Sequence, residues 1–538
     1  MENVNFYRSH LALPLTFLCG FVFFSNSALC QSSSPTEREK VILEIQDLVD
    51  RDDLDTARQK VYDAQKEMTD SGLDNLLGVI EAKTGDYAGA EKSFAIAIGR
   101  TPTFTAPYLN LARLYQENAG RDPKSTAKAL AVYEQLLRFD PANTEANYQA
   151  AVLSMEQSQY AKSQRYLSRL SPDSQGNSQA QAVRCADLAG LGDRTHTDQC
   201  AARLRSSPDF SEADAQMIAP VLASAKRDDI IVGLEEALAK RRPLSGQSLR
   251  TLGLAYEKTG KLSDARSTLE QSFSSLGSSS TGILLDLARV GQEQKDYKGA
   301  LGYLAHAEDL NPKDATIPYY FGLVCLQLNL LAEAQRAMGK ALALDPDNPA
   351  YNYSMGAVSV FELGPEQAIP YFQKYLRLKP QDPRGKLALG AAYVRAKNYE
   401  AGLPLLRECT NHSETAPTAH YYLGRLLNQE DDPQGAIQEL QLSLKSNPDY
   451  PDALAELGRS LLTKKEYRQA QGALDHAIAL SPDHYQANLN LLLLYAKIGD
   501  ARYDSQSRRV EELKKAAEEK SQELSRIIEI RPFDNSGN

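Results

Sequence analysis

The sequence predicts an all-α fold of stacked helical hairpins, because small residues and prolines both recur with a period of about 34 residues, the length of a helical-hairpin repeat. The small residues are Ala288, Gly322, Gly356, Gly390, Gly424 and Gly458, and the prolines are Pro312, Pro346, Pro380, Pro448 and Pro482, with Glu414 in the remaining slot. A fixed period of this length is typical of repeat arrays, in which each copy buries its apolar face only against neighbouring copies. An array of this kind favours a binding surface over a catalytic pocket.

One copy shows why each repeat is expected to form a hairpin. Gly322 lies in a first apolar segment, and the second segment carries Ala334, Met338 and Ala341. Residues four and seven positions apart share one face of a helix, so these three side chains form a single apolar stripe. Gly322 lets the two helices approach closely, and Pro346 ends the second helix because proline has no amide donor.

Residues 1–30 are predicted to be a signal peptide, outside the array. The features behind this prediction are Arg8, His10, the apolar run from Leu11 to Phe24, and the small residues Ala28 and Cys30 before Gln31. They match the basic segment, apolar run and cleavage site of an export signal. We therefore expect a periplasmic or extracellular protein, cleaved near Cys30/Gln31. An uncleaved anchor and a lipid-modified Cys30 remain the alternatives, and a membrane contact is expected only through them.

The array is predicted to follow a short linker at residues 31–37. Its blocks are an N-terminal one at 38–143, a degenerate one at 144–245 and a regular C-terminal one at 246–500. The middle block loses the repeat signature but keeps apolar residues such as Leu204 and Leu234 at helical spacing, so we count three copies there. The whole array then comprises about 13 hairpins.

The C-terminal segment is strongly charged and differs from the copies before it. Residues 501–531 are predicted to form a long helix, interrupted by apolar residues such as Leu513 and Leu524, and residues 532–538 a disordered tail. Terminal repeats need a polar outer face, so this helix is expected to cap the last hairpin. A partner-binding helix is the alternative.

The periodic positions resemble the tetratricopeptide repeat, a motif with Leu-Gly in its first helix, Ala and a large apolar residue in its second, and a closing proline. A clear copy consists of Leu457, Gly458, Ala470, Leu474 and Pro482. Together with the export signal, the chain resembles exported bacterial members of this family. The resemblance implies a right-handed superhelical solenoid whose first helices line a concave groove, and protein or peptide partners bound there.

Candidate partner-binding residues follow from the phase of the first helices in the regular block. They are Tyr319, Tyr320, Tyr353, Arg384, Arg395, Tyr421, Tyr422, Arg425, Asn428 and Arg459. Tyrosine and arginine are common anchors of protein interfaces, so the sequence predicts a locally basic, aromatic groove that binds acidic segments. The alternative is that these tyrosines pack against neighbouring helices with their hydroxyls in solvent.

Two cysteines are expected near the middle of the two helices of one predicted hairpin. Cys185 and Cys200 could therefore meet, and disulfides persist in oxidising compartments. A disulfide and two free thiols both stay open as interpretations. Cys325 and Cys409 occupy core phases of distant repeats and are expected to be small buried hydrophobes.

Composition and motifs favour a non-catalytic protein. The net charge of −10 argues against nucleic acid as a ligand, because phosphate contacts require a basic surface. The histidines and cysteines show no metal-ligand spacing, and no phosphate loop or nucleophile elbow occurs, so we expect no metal, no cofactor and no enzyme. The sequence predicts a protein-interaction scaffold in the cell envelope. The alternative is an accessory subunit that positions substrate for an envelope enzyme or for a pilus or polysaccharide export machine.

Overall fold

The computed structural model describes residues 37–527 except 119, 121, 123, 278, 279 and 363. The predicted signal peptide at 1–30, most of the predicted linker and the predicted tail at 532–538 lie outside the described residues. Every regular element in the described ranges is an α-helix. Two compact units divide after Ser275. The predicted block boundaries after residues 143 and 245 stay predictions.

Unit 1 contains helices α1 to α15. Their bounds are α1 Glu37–Asp50, α2 Leu54–Glu67, α3 Ser71–Lys83, α4 Tyr87–Arg100, α5 Thr105–Glu117, α6 Ser125–Phe139, α7 Thr144–Glu156, α8 Tyr160–Leu167, α9 Pro172–Gly176, α10 Ser178–Gly190, α11 Arg194–Ser206, α12 Glu212–Ser224, α13 Asp228–Ala239, α14 Gly246–Lys258 and α15 Leu262–Ser275. One apolar core runs through the unit from Ile42 to Ala255. The degenerate middle therefore forms three ordinary hairpins, α7–α8, α10–α11 and α12–α13, that share this core.

Unit 2 contains helices α16 to α29. Their bounds are α16 Thr281–Glu293, α17 Tyr297–Leu310, α18 Thr316–Gln327, α19 Leu331–Leu344, α20 Pro349–Glu362, α21 Pro365–Leu378, α22 Pro383–Arg395, α23 Tyr399–Cys409, α24 Ala416–Gln429, α25 Pro433–Ser446, α26 Pro451–Thr463, α27 Tyr467–Leu480, α28 Tyr485–Ile498 and α29 Tyr503–Ile527. Its core consists of apolar clusters at successive hairpins, such as the one around Leu440 and Ala453.

The helices pair as the repeat predicts. Apart from the short α9, helices α1 to α27 form thirteen consecutive hairpins, and α28 begins a last one whose second helix is the long α29. The all-α fold class and the number of hairpins are thus confirmed. The long charged helix is present as α29, and residues 528–531 of its predicted range lie outside the described ones.

Close packing at the periodic glycines holds each hairpin together. A Cβ atom on Gly356 would come within 2.7 Å of the Phe372 ring, and one on Gly458 within 2.5 Å of Leu474. Distances below about 3 Å are far inside van der Waals contact, so a side chain at these positions would push the helices apart. The predicted packing role of the glycines is confirmed.

The prolines have a second role that the sequence did not suggest. Asn147, Asn352 and Asn488 each donate an Nδ2 hydrogen bond to the carbonyl of the proline six residues earlier, at 2.9, 2.9 and 3.0 Å. The same amides also donate to the carbonyl four residues earlier. Each asparagine therefore ties the turn between two hairpins to the first helix that follows it.

Among the helices of the described residues, none combines the length and apolar character that a membrane span requires.

Candidate functional site

First helices lie side by side along the C-terminal half of unit 2. Helix α20 contacts α22, α22 contacts α24, α24 contacts α26 and α26 contacts α28, while the second helices pack between them. We call the exposed side of this layer, around Tyr353, Tyr421, Arg425 and Arg459, the first-helix face. All ten predicted partner-binding residues belong to first helices of unit 2.

The three tyrosines of equivalent phase do not stack on one another. Instead, each packs against the ring of a different nearby tyrosine. Ring centroids of Tyr319 and Tyr351 lie 4.7 Å apart, those of Tyr353 and Tyr375 lie 5.1 Å apart, and those of Tyr421 and Tyr450 lie 5.3 Å apart. Such tilted pairs stabilise local packing. The three tyrosines therefore form separate aromatic pairs and no continuous ladder. Tyr319, Tyr353 and Tyr421 are half-buried, whereas their partners Tyr351 and Tyr375 are buried.

Two further tyrosines offer more surface. Tyr320 is 40% exposed beside Tyr319, with ring centroids 5.7 Å apart. Tyr422 packs against Tyr421 at 5.1 Å and is half-buried. Burial raises the pKa of Tyr421 to about 12, with the charge of Arg425 acting in the opposite direction. The Tyr421 hydroxyl is therefore a neutral hydrogen-bond donor at physiological pH.

Arg384 is paired within the protein. Its Nε and one terminal nitrogen donate to the two carboxylate oxygens of Asp382 at 3.1 and 2.8 Å. The same carboxylate accepts a hydrogen bond from the Tyr375 hydroxyl. These donors, led by Arg384, hold the pKa of Asp382 well below its usual range. Arg384 therefore positions Asp382 and Tyr375, and its charge is already compensated.

Arg425, unlike Arg384, is not paired with a carboxylate in the described part of the chain. In the described part of the chain it makes no hydrogen bond and no ion pair, although its side chain is half-buried between α24 and α26. Its charge reaches the Asp452 carboxyl and the Tyr421 hydroxyl only through space. A half-buried guanidinium without a partner carries five N–H donors that a bound carboxylate can satisfy.

Arg459 and Arg395 are exposed. One terminal nitrogen of Arg459 lies 3.8 Å from the Glu456 carboxylate, a long ion pair that solvent screens. Arg395 is the last residue of α22. Arg395 lies on the first helix before that of Arg425, and Arg459 lies on the first helix after it.

Asn428 ties two first helices together. Its amide nitrogen donates to Glu456 Oε2 at 3.1 Å, and its carbonyl oxygen accepts from the Ser460 hydroxyl at 2.8 Å. These bonds join α24 to α26. The Asn428 side-chain amide, which was predicted to contact a partner, is therefore already hydrogen-bonded within the protein.

Acidic side chains that the sequence reasoning missed lie among the arginines. Asp452 Oδ1 accepts a hydrogen bond from His484 Nε2 at 3.2 Å, and that bond is the main reason why the pKa of Asp452 is lowered. His484 Nδ1 accepts the backbone N–H of Ala487 at 3.1 Å, which leaves Nε2 as the protonated nitrogen of the neutral ring. With Asp452 and Glu456 present, the face is mixed in charge, whereas a basic groove was expected.

Profiles of the tetratricopeptide repeat family match residues 121–184, 292–357 and 427–489, and a second tetratricopeptide profile matches 364–414. This chain is a tetratricopeptide repeat protein. The first match extends the family into the degenerate middle, up to residue 184. The second and third include Tyr353 and Arg459 of the first-helix face, and Tyr421 and Arg425 lie between matched segments. A search of curated proteins gave no match.

Solved tetratricopeptide structures resemble the chain. Yeast Tom70 is 17% identical, with 85% of this chain and 94% of that chain covered and a TM-score of 0.38. Cut9 in the APC/C hetero-tetramer with Hcn1 is 17% identical, with 79% and 97% covered and a TM-score of 0.36. A tetratricopeptide repeat protein from Parabacteroides merdae is 15% identical, with 46% and 98% covered and a TM-score of 0.42.

The tetratricopeptide register gives a signal that could have identified the missed residues. Tyr450 and His484 occupy the same position of successive repeats, and both directly precede a first helix, at the N-cap position. Asp452 and Gln486 follow two residues after them in the same register. A search of the N-cap position and the first turn of each first helix would thus have found His484 and Asp452.

Proposed function

We propose that this tetratricopeptide repeat protein is a non-catalytic scaffold that binds an extended acidic protein segment on the first-helix face of unit 2. The observation that supports the proposal is Arg425, a half-buried cation without a hydrogen-bond or ion-pair partner in the described part of the chain. Tyr421 and Tyr422 lie beside it, and Arg459 follows on the next first helix.

The chemistry of binding follows from these groups. A partner carboxylate would accept two parallel hydrogen bonds from Arg425, in the geometry that arginine and carboxylate prefer. The neutral hydroxyl of Tyr421 would donate to a partner carbonyl, and the rings of Tyr422 and Tyr320 would cover apolar parts of the bound segment. Asp452 and Glu456 would repel a second carboxylate close to the first, so spaced acidic residues fit better than a continuous acidic run.

Site-specific crosslinking in native cells tests this proposal. A photoreactive amino acid at position 422 is expected to capture a protein segment rich in Asp and Glu, identified by mass spectrometry. The double variant Arg425→Glu/Arg459→Glu should lose most of that product. The matched control is Arg377→Glu/Arg468→Glu, which makes the same charge change on exposed sites of second helices α21 and α27. Equal capture by both double variants would contradict the proposal.

The scaffold is proposed to act in the cell envelope after export. The support is the sequence of residues 1–30 alone, with its basic start, apolar run and small residues before Gln31. N-terminal sequencing of the protein isolated from its native cells should begin at Gln31. An intact N-terminus would exclude cleavage, and a lipid on Cys30 would favour anchoring.

A further inference from the structure

The α10–α11 hairpin brings two cysteines together inside the core of unit 1. Cys185 and Cys200 are both buried, and both are free thiols. The Cys185 sulfur lies 3.7 Å from the Thr197 carbonyl oxygen, and the Cys200 sulfur lies 3.4 Å from the Gln181 carbonyl oxygen. Thr197 precedes Cys200 by one turn, and Gln181 precedes Cys185 by one turn. Each sulfur therefore lies against the opposite helix, within one turn of the other cysteine.

The two thiols interact with each other and are chemically unequal. A hydrogen bond from Cys185 lowers the pKa of Cys200, and the positive charges of Arg184 and Arg203 act in the same direction against burial. The same hydrogen bond, with burial, raises the pKa of Cys185. Because the thiolate is the nucleophile in disulfide exchange, Cys200 is the thiol set up to react first.

We propose that Cys185 and Cys200 form a disulfide that closes the α10–α11 hairpin, by exchange with a small-molecule disulfide such as oxidised glutathione. Cys200 thiolate attacks one sulfur of the oxidant, whose S–S bond breaks, and one glutathione leaves as its thiolate. Cys185 then loses its proton and attacks the Cys200 sulfur, and the second glutathione leaves. The protein loses two S–H bonds and gains one S–S bond, while the oxidant is reduced to two thiols.

The proposal is specific for this pair among the four cysteines in the described ranges. Cys325 lies in α18 and Cys409 at the end of α23, on separate hairpins of unit 2. The Cys409 thiol donates to the Pro383 carbonyl at 3.5 Å, which is a backbone group of the same hairpin. The proposal rests on the hairpin geometry and is independent of the partner-binding proposal.

Peptide mapping tests the bond directly. The full chain is refolded from urea in a buffer of reduced and oxidised glutathione, free thiols are blocked, and the protein is digested with trypsin. Cleavage after Arg184, Arg194 and Arg203 releases Cys185 and Cys200 on separate peptides, 185–194 and 195–203. We expect these two peptides joined, and separated by reductant. Two unjoined, blocked peptides, or either peptide joined to Cys325 or Cys409, would overturn the proposal.

Single variants test the order of attack. Cys185→Ser removes the resolving thiol and leaves a hydroxyl that can donate the same hydrogen bond to Cys200, so it should accumulate glutathione on Cys200. Cys200→Ser should carry at least tenfold less glutathione on Cys185 under the same conditions. Cys325→Ser is the control and should form the joined peptides as the unmodified chain does. Equal glutathione on both single variants would contradict Cys200 as the attacking thiol.

Discussion

At the scale of the residue, Leu474 fills the space that a side chain at position 458 would need. Leu474 is fully buried, and its side-chain atoms would lie 2.5 and 2.6 Å from a Cβ on Gly458. Gly472 lies in α27, is exposed, and a Cβ there would meet no atom within 4 Å. The same Gly→Ala change therefore has opposite physical consequences at two positions of one repeat.

Gly458→Ala is expected to lower the free energy of unfolding by about 1–2 kcal/mol, because overpacking exceeds the gain in helix propensity. Gly472→Ala should raise it by about 0.5–1 kcal/mol, because alanine restricts the unfolded chain and favours helix. Urea unfolding followed by circular dichroism measures both changes. Stabilisation by both substitutions would show that the hairpin packs more loosely at Gly458 than the structure indicates.

Asp187 and Glu235 are carboxyl groups buried in unit 1 without an ion-pair partner among the described residues. Neither carboxyl oxygen of Asp187 lies within ordinary hydrogen-bonding distance of a donor there, and the side chain is fully buried in α10. Burial raises the pKa of Asp187 to about 8, with the nearby Ser163 hydroxyl and Arg184 acting in the opposite direction. Burial also raises the pKa of Glu235 to about 8, and the charge of Glu212 adds to it.

These pKa values predict how stability changes with pH. Between the ordinary pKa of 3.8 and the folded value near 8, folded Asp187 keeps its proton and unfolded Asp187 does not. Unfolding then releases a proton, so the free energy of unfolding falls as pH rises, by at most about 1.4 kcal/mol per pH unit. Asp187→Asn should reduce this slope and raise stability at pH 7, as measured by urea unfolding from pH 4 to 9. Asp173→Asn, on the surface of α9, is the control and should leave the slope unchanged.

At the scale of the element, α29 differs from every helix before it. Its first half packs on α28, where Gln506 donates to the Asn488 carbonyl at 3.0 Å and Val510 is buried. The Arg502 guanidinium lies 4.4 Å from the centre of the Tyr495 ring. These contacts support the predicted capping role for the first half of α29. The remainder of α29 extends past the length of an ordinary second helix.

Truncation separates the two interpretations of this helix. A chain ending after Asp500 is expected to lose about 2 kcal/mol of stability, because the apolar surface of α28 around Tyr495 becomes exposed. A chain ending after Ala516 should keep nearly full stability, since the described contacts with α28 remain. Thermal unfolding of both chains measures the difference. Equal loss in both would show that the cap needs the whole helix, and loss of partner binding alone after Ala516 would favour a binding role.

The elements themselves were largely predictable from sequence, and their turns were not. Gly322 and Ala334 identify two helices and their close approach, since both positions require small side chains. The left-handed residues between the helices follow the same period, but only some are glycines, such as Gly260 and Gly499, and others are lysines, as at Lys397 and Lys465. Lysine side chains carry no clear turn signal, so the sequence could not show that the backbone has positive φ there.

At the scale of the whole molecule, the sequence predicted the positions of the candidate binding residues better than their interactions. The repeat phase placed Tyr421, Arg425 and Arg459 on neighbouring first helices, where the structure has them. It could not show that Asp382 compensates Arg384, because that pair depends on side-chain directions within one turn. It also missed Asp452, because this residue lies in the first turn of α26, before the position of Arg459 that was predicted to line the groove.

In the middle of the chain, too, the sequence predicted the helices but not the interactions of particular side chains. Loss of the repeat signature between 144 and 245 reflects substituted packing residues, such as the buried Ser163 at a small-residue position, and the hairpins persist. Leu204 and Leu234 keep the apolar spacing and are buried in the common core. Apolar periodicity alone therefore predicted the helices, whereas the buried Asp187 could not be recognised from spacing.

Arg425 and Arg459 are the proposed anchors for an acidic segment on the first-helix face. The most direct measurement starts from peptides that the unmodified full chain selects from a random display library. Fluorescence anisotropy then gives the dissociation constant of each peptide for the unmodified chain and for the two double variants. We expect selected peptides to be enriched in Asp and Glu. Arg425→Glu/Arg459→Glu should weaken binding at least tenfold, about 1.4 kcal/mol, and Arg377→Glu/Arg468→Glu should not. Selected peptides that bind both double variants equally well would contradict the first-helix face as the binding surface.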